Sequence, residues 1–148
     1  MKKIMLMGPT LAGKTTLLQR LHGKVQVYDK TQSVDYFDDA IDTPGEYLEN
    51  RRLYNALVTS SFDADIIVLV QSATDEMSFY PPMFAGIFNQ PVIGVVTKID
   101  LVESASQIAQ AAEYLNNAGA EKIFNLSSVT GAGMDALLAY LDEQRSST

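Results

Sequence analysis

The apolar run Ile4-Met5-Leu6-Met7 leads directly into Gly8-Pro9-Thr10-Leu11-Ala12-Gly13-Lys14-Thr15, and Thr16-Leu17-Leu18-Gln19-Arg20-Leu21 follows at once. This constrains the fold more than any other stretch. It fits the pattern G-x-x-x-x-G-K-[ST] set between a buried strand and a helix, the context in which the pattern denotes a phosphate cradle. Gly8 and Gly13 let the backbone curl until successive N–H groups point at one anion, and the helix opening near Gly13 adds the positive end of its dipole. Lys14 brings a full charge to the outer phosphates, and the Thr15 hydroxyl is suited to ligate magnesium. The expected phosphate-binding residues are therefore Gly8, Pro9, Thr10, Leu11, Ala12, Gly13, Lys14, Thr15 and Thr16.

Beyond this loop, short β-branched and aliphatic runs alternate with segments of helical spacing. Strands are expected at residues 2–7, 34–37, 40–41, 64–71, 91–96 and 122–126, the third closing on Asp42. Helices are expected at 14–21, 51–61, 83–89 and 104–117, with a last one after Gly133 carrying Met134, Leu137, Leu138 and Leu141 on one face. Pro81-Pro82 is suited to open the helix at 83–89, and Asn117-Ala118-Gly119 to end the one at 104–117. Such alternation predicts parallel strands joined by right-handed crossovers, an α/β fold of three layers with helices on both faces of a mostly parallel sheet. With 148 residues, 47% of them apolar, one nucleotide-binding domain over 1–148 is expected to bury its core without staples.

Charge and cysteine content narrow the partners. A net charge of −7 disfavours a nucleic-acid surface, which needs clustered Lys and Arg. Cys is absent, so disulfides and thiolate metal sites are excluded. Ile66-Ile67-Val68-Leu69-Val70, the longest aliphatic run, is too short to span a bilayer, and a soluble cytoplasmic protein is expected. His22, the only histidine, reads as an exposed helix-end residue favourably placed against the dipole.

Three further motifs fall at expected strand ends, where ligands bind in open α/β sheets. Asp42-Thr43-Pro44-Gly45 offers a carboxylate to hold magnesium through water and, at Gly45, an N–H that no side chain shields from the γ-phosphate. In Thr97-Lys98-Ile99-Asp100, the Asp100 carboxylate can accept both N1–H and the 2-amino group of guanine. Adenine offers neither, which leaves a polar group unpaired and makes for strong selectivity. The Lys98 stem can pack on the base while its ammonium reaches towards the phosphate loop. Ser127-Ser128 can orient Asp100 and present an N–H to the guanine carbonyl; alone, two serines after a strand also read as a solvated turn.

Taken in this order, the four motifs resemble those of small P-loop GTPases of the translation-factor and Ras type. The short length, Thr31-Gln32 and Asp42-Thr43-Pro44-Gly45-Glu46-Tyr47 resemble the EutP/PduV family of ethanolamine and propanediol utilisation. The resemblance implies a Ras-like fold with a shortened hairpin of the second and third strands, Mg2+ and GTP/GDP as ligands, and Thr31, with Ser33 as fallback, closing over the metal and the γ-phosphate. It implies metal contacts from Thr15, Thr31 and Asp42, and a catalytic set of Lys14, Thr31, Gly45 and Glu46. Family members more often carry Asn where this chain has Thr97, and Thr makes fewer cross-loop hydrogen bonds. Glu46 stands where Ras-like GTPases carry a water-positioning glutamine, and a carboxylate there opposes the developing charge, so slow turnover is expected. Arg51 and Arg52 read as helix-surface residues or as a cis arginine finger. The alternatives that the family implies are an acetate kinase using ATP/ADP, and a nucleotide-gated interaction module associated with a bacterial microcompartment shell or metabolic protein. Oligomeric state is not legible.

Overall fold

The computed structural model describes residues 4–8, 17, 35–37, 40–42, 51–75, 80–127, 130–137 and 139–140. Within these, β1 (Ile4–Met7), β2 (Asp35–Phe37), β3 (Ala40–Asp42), β4 (Ile66–Ser72), β5 (Val92–Thr97) and β6 (Ile123–Asn125) form one sheet in the order β2-β3-β1-β4-β5-β6. Every pairing is parallel except β2 with β3. The register Phe37↔Ala40 leaves only residues 38 and 39 between those two strands, which is the expected short hairpin.

β1, β4 and β5 are buried at every position, as the continuous apolar runs require of strands covered on both faces. Alternate residues point to opposite sides. Met5, Met7, Ile67, Leu69, Val92 and Val96 meet Leu57 of α1 (Tyr54–Ser61) and Ala111 and Leu115 of α2 (Ala105–Asn117). Ile4, Leu6, Ile66, Val68, Val70, Ile93 and Val95 meet the helical residues Leu17, Met134 and Leu137 on the other side. The sheet is thus a middle layer with helix on both faces.

The helical segments follow their local chemistry. A 3-10 turn, Arg51–Leu53, runs into α1. Ser104 is the N-cap of α2, and Gln107 reaches back so that its Oε1 accepts the N–H groups of Glu103 at 2.7 Å and Ser104 at 3.2 Å, the reach of a capping box. Gly119, at φ 101°, ends α2 as expected, with Ala120 N–H returning to the Leu115 carbonyl.

One expected helix is corrected. Residues 83–89 are not α-helical but form a 3-10 turn, Phe84–Ile87, entered through Met83 at φ 61°. Met83 and Ala85 donate their N–H groups to the carbonyls of Asn117 at 2.9 Å and Ala118 at 2.8 Å. The segment thereby serves as a cap for the carboxyl end of α2, whose last carbonyls have no partner within the helix. Strand boundaries shift by one or two residues, with β4 and β5 each reaching one residue further than expected, to Ser72 and Thr97. The expected helix at 14–21 is described only at Leu17, and Leu138 and Leu141 lie outside the described residues.

Candidate functional site

The parallel strands all point their carboxyl ends to one edge, and the motif residues within the described set collect there. Gly8 follows β1, Asp42 ends β3, Thr97 ends β5 with Lys98 and Asp100 just beyond, and Ser127 follows β6 by two residues. Asp42 is in register with Leu6, two residues before Gly8, which brings the carboxylate-bearing strand end beside the start of the expected phosphate loop. Pro9, Thr10, Leu11, Ala12, Gly13, Lys14, Thr15, Thr16, Thr31, Ser33, Gly45, Glu46 and Ser128 lie outside the described residues, as do His22 and Tyr47.

At Gly8 the structure adds a second reason for glycine. A Cβ there would stand 2.7 Å from the Val70 carbonyl oxygen and 3.3 Å from the Tyr80 hydroxyl. The first residue of the loop therefore lies flat against the β4 backbone, a close approach that any side chain blocks. The Tyr80 hydroxyl lies within hydrogen-bond distance of the carbonyls of Val70 at 2.7 Å and Met7 at 3.1 Å. Tyr80 is buried, and burial pushes its phenol well above the usual range, so the group is a neutral donor.

The turn at 97–100 is held from both sides. The Thr97 carbonyl accepts from Ala73 N–H at 2.8 Å, and Ile99 N–H reaches the Leu126 carbonyl at 3.4 Å. Thr97 itself is buried, its Oγ1 turned towards the Gln71 carbonyl at a long 3.5 Å. Lys98 adopts φ 61° and ψ 32°, left-handed backbone, before the 3-10 turn Ile99–Leu101, and Asp100 is exposed. Left-handed backbone in a residue other than glycine is sterically costly and marks a position that its neighbours hold in place. Beside it, burial holds the Asp75 carboxyl above its ordinary value against the pull of the Lys98 ammonium.

Ser127 is fully buried rather than a solvated turn residue. Its Oγ accepts Thr130 N–H at 3.1 Å, its N–H reaches the Ala132 carbonyl and its carbonyl takes Gly131 N–H, both at 2.9 Å. Arg52 is exposed, in keeping with a helix-surface residue. Sequence reading singled out neither Tyr80 nor Asp75, because an aromatic before two prolines and an acid in a loop carry no pattern.

The family of ethanolamine utilisation and propanediol utilisation proteins, PduV-EutP, matches this chain over residues 1–143. The chain belongs to the PduV-EutP family. It is 46% identical over 147 residues to the propanediol utilization protein PduV of Citrobacter freundii, covering 99% of this chain and 97% of that one. A second PduV-EutP relative, named as the probable acetate kinase EutP of Escherichia coli strain K12, is 36% identical, with 95% of this chain and 89% of that one covered. Among solved structures, the fold is similar to that of an Era variant of Aquifex aeolicus bound to GDP and AlF4−, with a TM-score of 0.67 at 22% identity. That match covers 95% of this chain and 56% of the Era chain. The α/β P-loop GTPase fold expected for a PduV-EutP member is the one observed. Among the described residues, no helix is long and apolar enough to cross a membrane.

Proposed function

We propose that this PduV-EutP member is a single nucleotide-binding domain that binds guanine nucleotide with magnesium and hydrolyses GTP slowly, in the setting of ethanolamine or propanediol utilisation and its microcompartments. One observation carries the reading: Gly8, Asp42, the 97–100 turn and Ser127 stand at the carboxyl ends of four parallel strands of one sheet, the edge where such sheets bind ligands.

In this reading the backbone N–H groups of 8–16 and the Lys14 ammonium hold the phosphates, and Gly8 keeps the loop close to β4. Asp100, exposed beyond the anchored turn, accepts N1–H and the 2-amino group of guanine, while the Lys98 stem covers the base. Thr97 faces inward, so base recognition rests on Lys98 and Asp100. Thr15, Thr31 and Asp42 offer the hard oxygen donors that magnesium takes, and the register of Asp42 with Leu6, two residues before Gly8, supports the part given to Asp42. Bound there, the ion would neutralise phosphate charge. The Gly45 N–H would meet the γ-phosphate. Glu46 would oppose the charge that develops on it, so that turnover is slow.

Titrating nucleotide-stripped protein with GDP and with ADP, each with magnesium, tests the reading. Tight GDP and weak ADP binding is expected, and Asp100→Asn is expected to remove most of the difference. Equal or tighter ADP binding would overturn guanine selection and favour an adenine-nucleotide-dependent acetate kinase, the Escherichia coli relative being named a probable acetate kinase.

A further inference from the structure

We propose that Tyr80 is a positioning residue for the phosphate loop, its hydroxyl pinning the carbonyls of Met7 and Val70 and so fixing where the chain leaves β1 at Gly8. The inference rests on the nucleotide-binding reading above. The β1–β4 ladder ends at Met7↔Leu69, and the hydroxyl sits where it stops, 3.1 Å from the Met7 oxygen and 2.7 Å from the Val70 oxygen. A phenol has one proton to donate, so the shorter bond to Val70 is the principal one and Met7 shares it. Gly8 completes the cluster, because a Cβ on it would approach both the Val70 oxygen and the Tyr80 hydroxyl.

The ring behind the hydroxyl is braced. Tyr80 packs on Phe84 with centroids 5.6 Å apart, and Phe84 stands edge-on to Phe88 at 5.7 Å and to Tyr54 at 5.3 Å. This packing holds the phenol without help from its hydroxyl, so Tyr80→Phe removes the donor and leaves the shape. The Val70 carbonyl then loses its principal donor and the Met7 carbonyl its share of that proton, and a buried acceptor left short is destabilising. A loop whose N–H groups must converge on one anion is sensitive to a shift at its first residue.

The test measures affinity for a fluorescent GDP, its dissociation rate and the thermal midpoint. The variants are Tyr80→Phe and Phe88→Leu, the latter disturbing the same aromatic cluster away from the hydroxyl. In Tyr80→Phe, GDP dissociation is expected to quicken by about tenfold, while Phe88→Leu lowers the midpoint and leaves dissociation within twofold of the parent. Parent protein that binds GDP, with Tyr80→Phe releasing it no faster, would overturn the role of Tyr80 and leave the function standing. Parent protein that binds neither GDP nor ADP would overturn the function itself, and Tyr80 positioning with it. Should Tyr80→Phe not fold, the parent protein supplies a second measurement, because coupling is reciprocal. GDP must then slow exchange of the Tyr80 hydroxyl proton, and an unchanged rate would refute the coupling.

Discussion

Gly94 of β5 touches Leu115 of α2 so closely that a Cβ on the glycine would stand 2.9 Å from Leu115 Cδ1 and 3.0 Å from its Cβ. Helix and strand meet there with no room between them, and Leu115 is itself fully buried. Gly94→Ala is expected to push α2 outward and lower stability by about 1–3 kcal/mol, the usual cost of overpacking. Denaturant unfolding checks this, and a variant as stable as the parent would mean that Leu115 moves aside freely.

Gly8→Ala should act on two properties at once. The added methyl meets the Val70 carbonyl oxygen, a backbone atom that cannot turn away. Stability is expected to fall by about 1–3 kcal/mol and GDP binding to be lost. Calorimetry for the midpoint and fluorescence titration for binding separate the two. A variant that binds GDP like the parent would show that the loop tolerates displacement from β4.

Lys98→Gly sets stability against binding. The left-handed backbone at Lys98 costs roughly 1–2 kcal/mol in a residue with a Cβ, and glycine returns roughly 0.5–1 kcal/mol of that through its freer unfolded chain. A net gain of up to about 1.5 kcal/mol is expected in thermal unfolding, together with weaker GDP binding from loss of the stem. Unchanged affinity would remove Lys98 from the site.

Asp75 carries a pH dependence of definite sign. Burial raises its carboxyl pKa, with the Lys98 charge acting in the opposite sense. A carboxyl raised on folding binds protons more readily in the folded state, so stability falls as pH rises through the interval between unfolded and folded values. Asp75→Asn is thus expected to raise the midpoint at neutral pH and to lose that advantage at pH below the ordinary carboxylate value. Midpoints measured from acid to neutral pH check this, and a constant difference between the two proteins would contradict it.

The strands were legible because burial on both faces leaves a plain signature: β4 and β5 are uninterrupted apolar stretches until Gln71, Ser72 and Thr97. Their directions followed from alternation with helices. The motifs were legible because glycine, lysine and aspartate are placed by what they must contact rather than by the rest of the chain. Residues 83–89 depart from their helical spacing for the converse reason, since the deciding bonds run from Met83 and Ala85 to the end of α2, and local spacing holds no trace of them. Tyr80 was invisible on the same ground, its hydroxyl meeting a carbonyl 73 residues away. Ser127, taken alone, reads as a solvated turn, and only its bonds with Thr130, Gly131 and Ala132 account for its burial.

The sheet also tapers. Its central strands run to seven residues in β4 and six in β5, whereas the outermost, β2 and β6, are three residues each among those described. An exposed margin of sheet is a template on which another chain can add a strand, and short margins offer few unpaired groups to copy. The most β-prone segments of this protein are held in the middle, where every neighbour is already its own. Margins of this kind give strand addition little to copy, and the carboxyl edge of the sheet is left for the nucleotide site proposed above.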